Sequence, residues 1–278
     1  MTRFRREARS LQLTVVIGML AALQGCGGAE SPSHTAAEGH GEVHWGYTGD
    51  EGPEHWAELA PEFSACADGR EQSPIDLSGA TPVTGQQFER APGSFAVELR
   101  HRATVLDLLD NGHTIQVTPV AEIGMMVGGV RYGLAQYHFH APSEHAIEGR
   151  RFPLEAHFVM SNAAGELAVL GILYEEGEHA PAFDLIIGNL PQSADHGRHL
   201  EDLDLDVGEL KQIPERVYAY RGSLTTPPCS EGVRWFVGAE PATLSAGQLE
   251  ALTSHLDDNA RPLQPRGDRE LLLVTVGR

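Results

Sequence analysis

Gln136-Tyr137-His138-Phe139-His140 carries two imidazoles two residues apart. Side chains alternate along an extended strand, so Gln136, His138 and His140 project from one face and Tyr137 and Phe139 from the other. Two imidazoles on one strand face make half of a metal site. The other half follows in Leu154-Glu155-Ala156-His157-Phe158-Val159, where the same alternation groups Glu155, His157 and Val159. A hairpin return through residues 142–153 can set the third imidazole beside the first pair. Three histidines with no fourth Cys or His nearby leave one coordination position open, as in catalytic rather than structural zinc sites. A ligating histidine usually gives its remaining N–H to an oxygen that fixes its orientation. Gln136 and Glu155 share the ligand faces and suit that role.

Outward from this pair, the apolar segments are short and bounded by Gly, Pro or Asn. Strands are predicted over 97–99, 104–109, 114–120, 134–140, 154–160, 167–174, 217–220 and 233–237. Asp110-Asn111-Gly112 reads as a tight turn between two of them. Helical patterns are few, the better ones being 182–190 and 245–256, with Ser245 as a candidate N-cap. The fold class expected is mainly β with minor α: one domain, residues 43–278, built on a large, mostly antiparallel twisted central sheet.

Residues 1–26 read as a signal peptide, with arginines at 3, 5, 6 and 9 before an apolar run over 11–23. That run is shorter than the roughly 20 residues a helix needs to span a bilayer. Leu23-Gln24-Gly25-Cys26 has the form of a lipobox, in which Cys26 would be lipidated; cleavage after Ala29 is the competing reading. Residues 27–42, rich in Gly, Ala and His, read as a flexible tether. Either reading predicts export to the periplasm or cell surface. The lipobox reading adds membrane attachment through Cys26, to the outer membrane in a Gram-negative cell because Gly27 follows. With Cys26 lipidated, Cys66 and Cys229 remain as an even pair in an oxidising compartment, which predicts a disulfide, two free thiols being the alternative. A formal net charge of −19 argues against nucleic acid as a partner, since phosphate backbones call for clustered Lys and Arg.

Several further motifs lie along the domain: His44-Trp45-Gly46-Tyr47, Gln72-Ser73-Pro74-Ile75-Asp76, Asn111-Gly112-His113, Ser143-Glu144-His145, Gly222-Ser223-Leu224-Thr225-Thr226-Pro227-Pro228 and Asn259-Ala260-Arg261-Pro262. Together with the two histidine strands, these are similar to the alpha carbonic anhydrases. The resemblance implies one zinc ion per chain and reversible hydration of carbon dioxide to bicarbonate by attack of zinc-bound hydroxide. It implies that His138 and His140 bind zinc through Nε2 and His157 through Nδ1, held by Gln136, the Asn259 carbonyl and Glu155. Thr225 would orient the nucleophile while donating to Glu144. Val159, Val169, Leu224 and Trp235 would form an apolar wall for carbon dioxide. His113 would carry the proton outward, with Tyr47 and Thr226 ordering the water between. Cys66 and Cys229 match the disulfide of extracellular and bacterial members, and sulfonamides and small anions are the expected inhibitors. Departures from the family pattern, such as Tyr137 where Phe is common, remove no ligand.

Two rivals follow from the same residues. A non-catalytic binding module on this fold would lack a zinc histidine or the Thr225–Glu144 pair, and all are present. Hydrolysis of small esters could use the same chemistry, but no acyl pocket is legible, so it is expected only as a side activity.

Overall fold

The computed structural model describes residues 43–83, 95–96, 102–120, 123–194, 196–203, 205–206, 210 and 214–276. The signal segment, the tether, Cys26 and the strand expected at 97–99 lie outside them. Among the described residues the early strands are β1 (Thr81–Val83), β2 (Phe95–Ala96), β3 (Arg102–Ala103), β4 (Val105–Asp110), β5 (Ile115–Val120), β6 (Gly124–Val127), β7 (Val130–His140) and β8 (Leu154–Ser161). The later ones are β9 (Leu167–Glu176), β10 (Gly197–Leu200), β11 (Leu205–Asp206), β12 (Arg216–Ser223), β13 (Glu231–Gly238), β14 (Ala242–Leu244) and β15 (Leu272–Thr275). Thirteen of them form one sheet with the path β1-β15-β12-β13-β9-β8-β7-β5-β4-β10; β14 adds to β9, β6 to β7 and β2 to β6. Pairing is antiparallel except for β1–β15, β13–β9 and β14–β9.

Period-2 alternation sorts the side chains of the central strands onto two covered faces. Tyr137 and Phe139 of β7, Ala156, Phe158 and Met160 of β8, and Leu170 and Ile172 of β9 join the larger apolar cluster on one face. Val169 and Leu173 of β9, Trp235 and Val237 of β13 and Tyr220 of β12 pack with Ile75 and Leu77 on the other. The histidines of β7 and β8 project to this second face. Two-sided burial explains why β9, unlike the half-exposed β4, reads as an almost continuous apolar run.

The helices are short: α1 (Trp56–Leu59), α2 (Ala65–Asp68), α3 (Pro181–Ile187) and α4 (Ala246–Thr253). Ser245 caps α4 in a reciprocal capping box, its side chain accepting from the Gln248 amide while Gln248 accepts from the Ser245 amide. The strands run longer than their apolar cores suggest, β7 starting at Val130 rather than at 134, because ladder hydrogen bonds do not require apolar side chains. Cys66 and Cys229 are joined as a disulfide across 163 residues of sequence.

Tyr137 departs from good packing practice. Its ring is fully buried and stacks on Phe158 with centroids 5.1 Å apart, yet its hydroxyl has no hydrogen-bond partner among the described residues. A buried unsatisfied hydroxyl costs about 1–3 kcal/mol. Tyr137→Phe is therefore expected to stabilise the protein by about 1 kcal/mol or more, measured by urea unfolding, and a less stable variant would contradict this.

Candidate active site

Antiparallel register places His138 directly opposite His157, and Glu155 opposite His140. The hairpin therefore does what the spacing predicts: one ring nitrogen from each of His138, His140 and His157 lies within 4.8 Å of the others. Each imidazole is fixed from behind through its other nitrogen. His138 Nδ1 is 2.9 Å from Gln136 Oε1, His140 Nδ1 is 2.8 Å from the Asn259 carbonyl oxygen, and His157 Nε2 is 2.9 Å from Glu155 Oε1. All three acceptors are oxygens, so the ring N–H must point outward. His138 Nε2, His140 Nε2 and His157 Nδ1 are then left as lone-pair donors facing inward.

Electrostatics favour the neutral ring that a metal requires at two of the three histidines. Burial, reinforced by the neighbouring imidazoles, holds His138 well below the ordinary imidazole value, and burial likewise lowers His140. Burial opposes charge on His157 too, but the Glu155 carboxylate, with Glu144 behind it, raises that ring. His140 Nε2 is buried with no hydrogen-bond partner among the described residues. An orphaned acceptor in a dry interior is destabilising unless something binds it. This donor set fits a metal ion, and three nitrogens fit zinc with an open position.

Glu155 does more than hold His157. Its Oε1 accepts from both His157 Nε2 and His145 Nδ1, the latter at 2.7 Å, and its Oε2 accepts from the amides of Glu144 and His145 at 2.9 Å each. Burial would raise its carboxyl, but the charges and hydrogen bonds of His145 and His157 prevail and hold it well below the usual carboxylate range. Gly171 lies opposite His157 on β9, and a Cβ there would sit 2.9 Å from Glu155 Oε1. Behind His145 the bonds continue: His145 Nε2 is 2.7 Å from the Tyr220 hydroxyl, which is 2.9 Å from Ser73 Oγ. The sequence reading assigned no role to His145, Tyr220, Ser73 or Gly171. A glycine inside an apolar strand was the available sign of a close approach at 171.

Glu144 is buried, and its Oε1 accepts the Arg261 amide at 2.9 Å. Its Oε2 lies 3.6 Å from His140 Nε2 and 3.8 Å from His157 Nδ1, in the space the ring nitrogens face. Thr225, buried at 5% exposure, follows β12. The expected Thr225–Glu144 hydrogen bond is not formed here, since Oε2 has no partner among the described residues. The carboxylate is instead turned toward the imidazole nitrogens.

Val169 and Trp235 belong to the apolar cluster of this face, with Val159 and Leu224 packed against it. Val159 pairs with Val169 and Val169 with Trp235 across three adjacent strands, and the Trp235 ring centre is 4.8 Å from that of His157. Thr226 lies in the same loop as Leu224 and Thr225, where its carbonyl accepts the amide of disulfide-bonded Cys229. His113 sits beyond the turn at Gly112, whose φ is +81°. Its ring stacks on Trp45 at 3.8 Å, with Tyr47 edge-on at 6.5 Å, and its carbonyl accepts from Asn259 Nδ2. Burial, with the Glu144 charge nearby, raises the Tyr47 phenol well above its ordinary value.

Comparison with known proteins agrees with this geometry. A family profile described as eukaryotic-type carbonic anhydrase matches residues 51–275. A carbonic anhydrase of Nostoc sp. is 37% identical over 227 residues, covering 82% of this chain and 84% of that protein. One from Neisseria gonorrhoeae is 38% identical over 242 residues, covering 85% and 91%. The solved structure of the Thermovibrio ammonificans alpha-carbonic anhydrase with the inhibitor sulfanilamide superposes with a TM-score of 0.70 at 38% identity, covering 84% of this chain and all of that one. The chain belongs to the alpha carbonic anhydrase family, zinc enzymes that reversibly hydrate carbon dioxide to bicarbonate.

Proposed function

We propose that the site hydrates carbon dioxide with the following division of labour. His138 and His140 hold zinc through Nε2 and His157 through Nδ1, while Gln136, the Asn259 carbonyl and Glu155 keep each ring in the tautomer that allows it. When bound, zinc supplies the Lewis acidity that makes water a nucleophile at neutral pH. Glu144, as a carboxylate, can only accept, so in the loaded enzyme the Thr225 hydroxyl donates to its Oε2 and turns its own lone pairs toward the nucleophile. Val159, Val169, Leu224 and Trp235 take the apolar substrate, and Thr226 lines the loop beside them. Sulfonamides and small anions compete for this space. What carries the reading is the convergence of three ring nitrogens, each fixed from behind by an oxygen. Stopped-flow hydration before and after zinc removal tests it, since hydration should vanish with the metal and return when it is restored. A folded, zinc-loaded protein that leaves carbon dioxide unreacted would overturn it.

Each turnover releases a proton, and an imidazole titrating near neutrality is suited to carry it out of the cavity. His113, with Tyr47 and Thr226 ordering the intervening water, has that role. His113→Ala is expected to lower kcat on the order of 10-fold or more while leaving kcat/KM largely intact, and added imidazole buffer should restore the rate. Equal losses in kcat and kcat/KM, without rescue, would remove His113 from the path.

The protein is further proposed to work outside the cytoplasm, anchored through lipidated Cys26. The Cys66–Cys229 disulfide supports export, because such bonds persist in oxidising compartments. Mass spectrometry of the mature N-terminus separates a diacylglyceryl Cys26 from cleavage after Ala29.

A further inference from the structure

Arg261 is among the largest fully buried side chains, at 1% exposure. Its guanidinium meets neutral oxygens: Nη1 donates to Gln72 Oε1 at 2.9 Å and to the Ser73 carbonyl at 2.7 Å, and Nη2 to the Cys66 carbonyl at 3.0 Å. The Trp56 ring lies 5.6 Å away. Desolvation pulls the guanidinium down to about 10, with the Glu144 charge opposing the shift. Burying a cation whose hydrogen bonds all go to neutral acceptors is a poor way to gain stability, and an apolar side chain of similar size often does as well or better. Such an expense calls for another use.

The use lies in the backbone that Arg261 belongs to. Residues 259–261 have no regular secondary structure, so no ladder of hydrogen bonds fixes them. Yet the Asn259 carbonyl accepts from His140 Nδ1, and the Arg261 amide donates to Glu144 Oε1. A bare coil thus sets the aim of one imidazole and one carboxylate of the site. At one end it is held by the Asn259 side chain, which accepts from the Ala141 amide and donates to the carbonyls of His113 and Phe139. At the other end the Arg261 carbonyl accepts from Arg151 Nη2 at 3.0 Å, and the guanidinium ties the coil inward to the 72–73 segment and to the residue that anchors the disulfide.

We propose that Arg261 is a positioning residue that holds the coil at 259–261 in register, so that the Asn259 carbonyl orients His140 and the Arg261 amide orients Glu144. The proposal rests on the active-site reading above. Loosening the coil should let His140 rotate or change tautomer, which weakens metal binding, and let Glu144 drift, which slows the reaction without touching the substrate wall.

The test is zinc affinity by chelator competition, with thermal unfolding and steady-state hydration run on the same samples of the full chain. Arg261→Met is expected to lower zinc affinity about 10-fold or more. At saturating zinc its kcat/KM should fall by a similar factor, since the aim of His140 and Glu144 acts in the hydration step, whereas kcat also carries the proton transfer through His113. Arg261→Lys, which can reach one anchor but not all three, should fall between. A folded Arg261→Met with a lower melting temperature but unchanged zinc affinity and kcat/KM would show a merely structural role and overturn the proposal. Should neither arginine variant fold, Gln72→Leu keeps the arginine and removes one anchor. It is expected to weaken zinc binding by roughly 3-fold, a fraction of the full loss, and unchanged affinity there would count equally against it. A wild-type protein that binds no zinc at these histidines, or hydrates no carbon dioxide, would sink the active-site reading itself and is read first.

Discussion

His157→Ala is expected to leave a folded protein that neither holds zinc at neutral pH nor hydrates carbon dioxide at more than a trace of the wild-type rate. Four-ligand structural sites bind zinc with roughly 10–16 kcal/mol. An even share per ligand is about 2.5–4 kcal/mol, so losing one of three should weaken binding on the order of 10²- to 10³-fold. The fold should survive because Glu155 keeps three of its four donors, His145 Nδ1 and two backbone amides. The side chain removed lies beside Trp235 on the histidine face rather than in the larger core on the opposite face of β8. Metal content by mass spectrometry and stopped-flow hydration, with circular dichroism as the folding control, check the result. Stoichiometric zinc and near-normal turnover in this variant would place the metal elsewhere.

The histidine strands were legible because their information is local. A spacing of two residues fixes the face, and a short return fixes the hairpin, so His138, His140 and His157 could be grouped without knowing the rest of the chain. The fold class was legible for a related reason, since short apolar runs between turn residues leave little but a sheet. The parallel pairing of β9 with β13 and β14 was not, because strand order depends on long crossovers that carry no local signal. The same limit applies to the supports of the site. The Arg261 amide reaches Glu144 across 117 residues and its guanidinium reaches Cys66 across 195, and nothing in Asn259-Ala260-Arg261 alone announces either contact. Resemblance to a family singled that motif out, and only the structure shows what the arginine touches. His145 was visible as part of a motif but without a partner, since its bonds to Glu155 and Tyr220 come from two different strands.

Glu155→Gln should be among the most damaging single-atom changes available in this protein. The carboxylate offers two oxygens to four N–H donors, two imidazoles on Oε1 and two backbone amides on Oε2. An amide has one oxygen and one NH2, so whichever way it is placed, two donors face an N–H instead of an acceptor. With the NH2 toward the backbone, the Glu144 and His145 amides are left buried and unpaired, at about 1–3 kcal/mol each. With the NH2 toward the rings, His157 must release the proton from Nε2 and carry it on Nδ1, the nitrogen proposed to bind zinc. Gly171 leaves no slack for a compromise, because the β9 backbone passes close enough that even a methyl group there would crowd Oε1. The expected outcome is a loss of about 2–5 kcal/mol in stability together with zinc affinity lowered by roughly 10- to 100-fold. Urea unfolding of the metal-free variant isolates the first effect and chelator competition the second. A Glu155→Gln variant that matched the wild type in both would mean that neither the tautomer of His157 nor the two amides depend on this carboxylate.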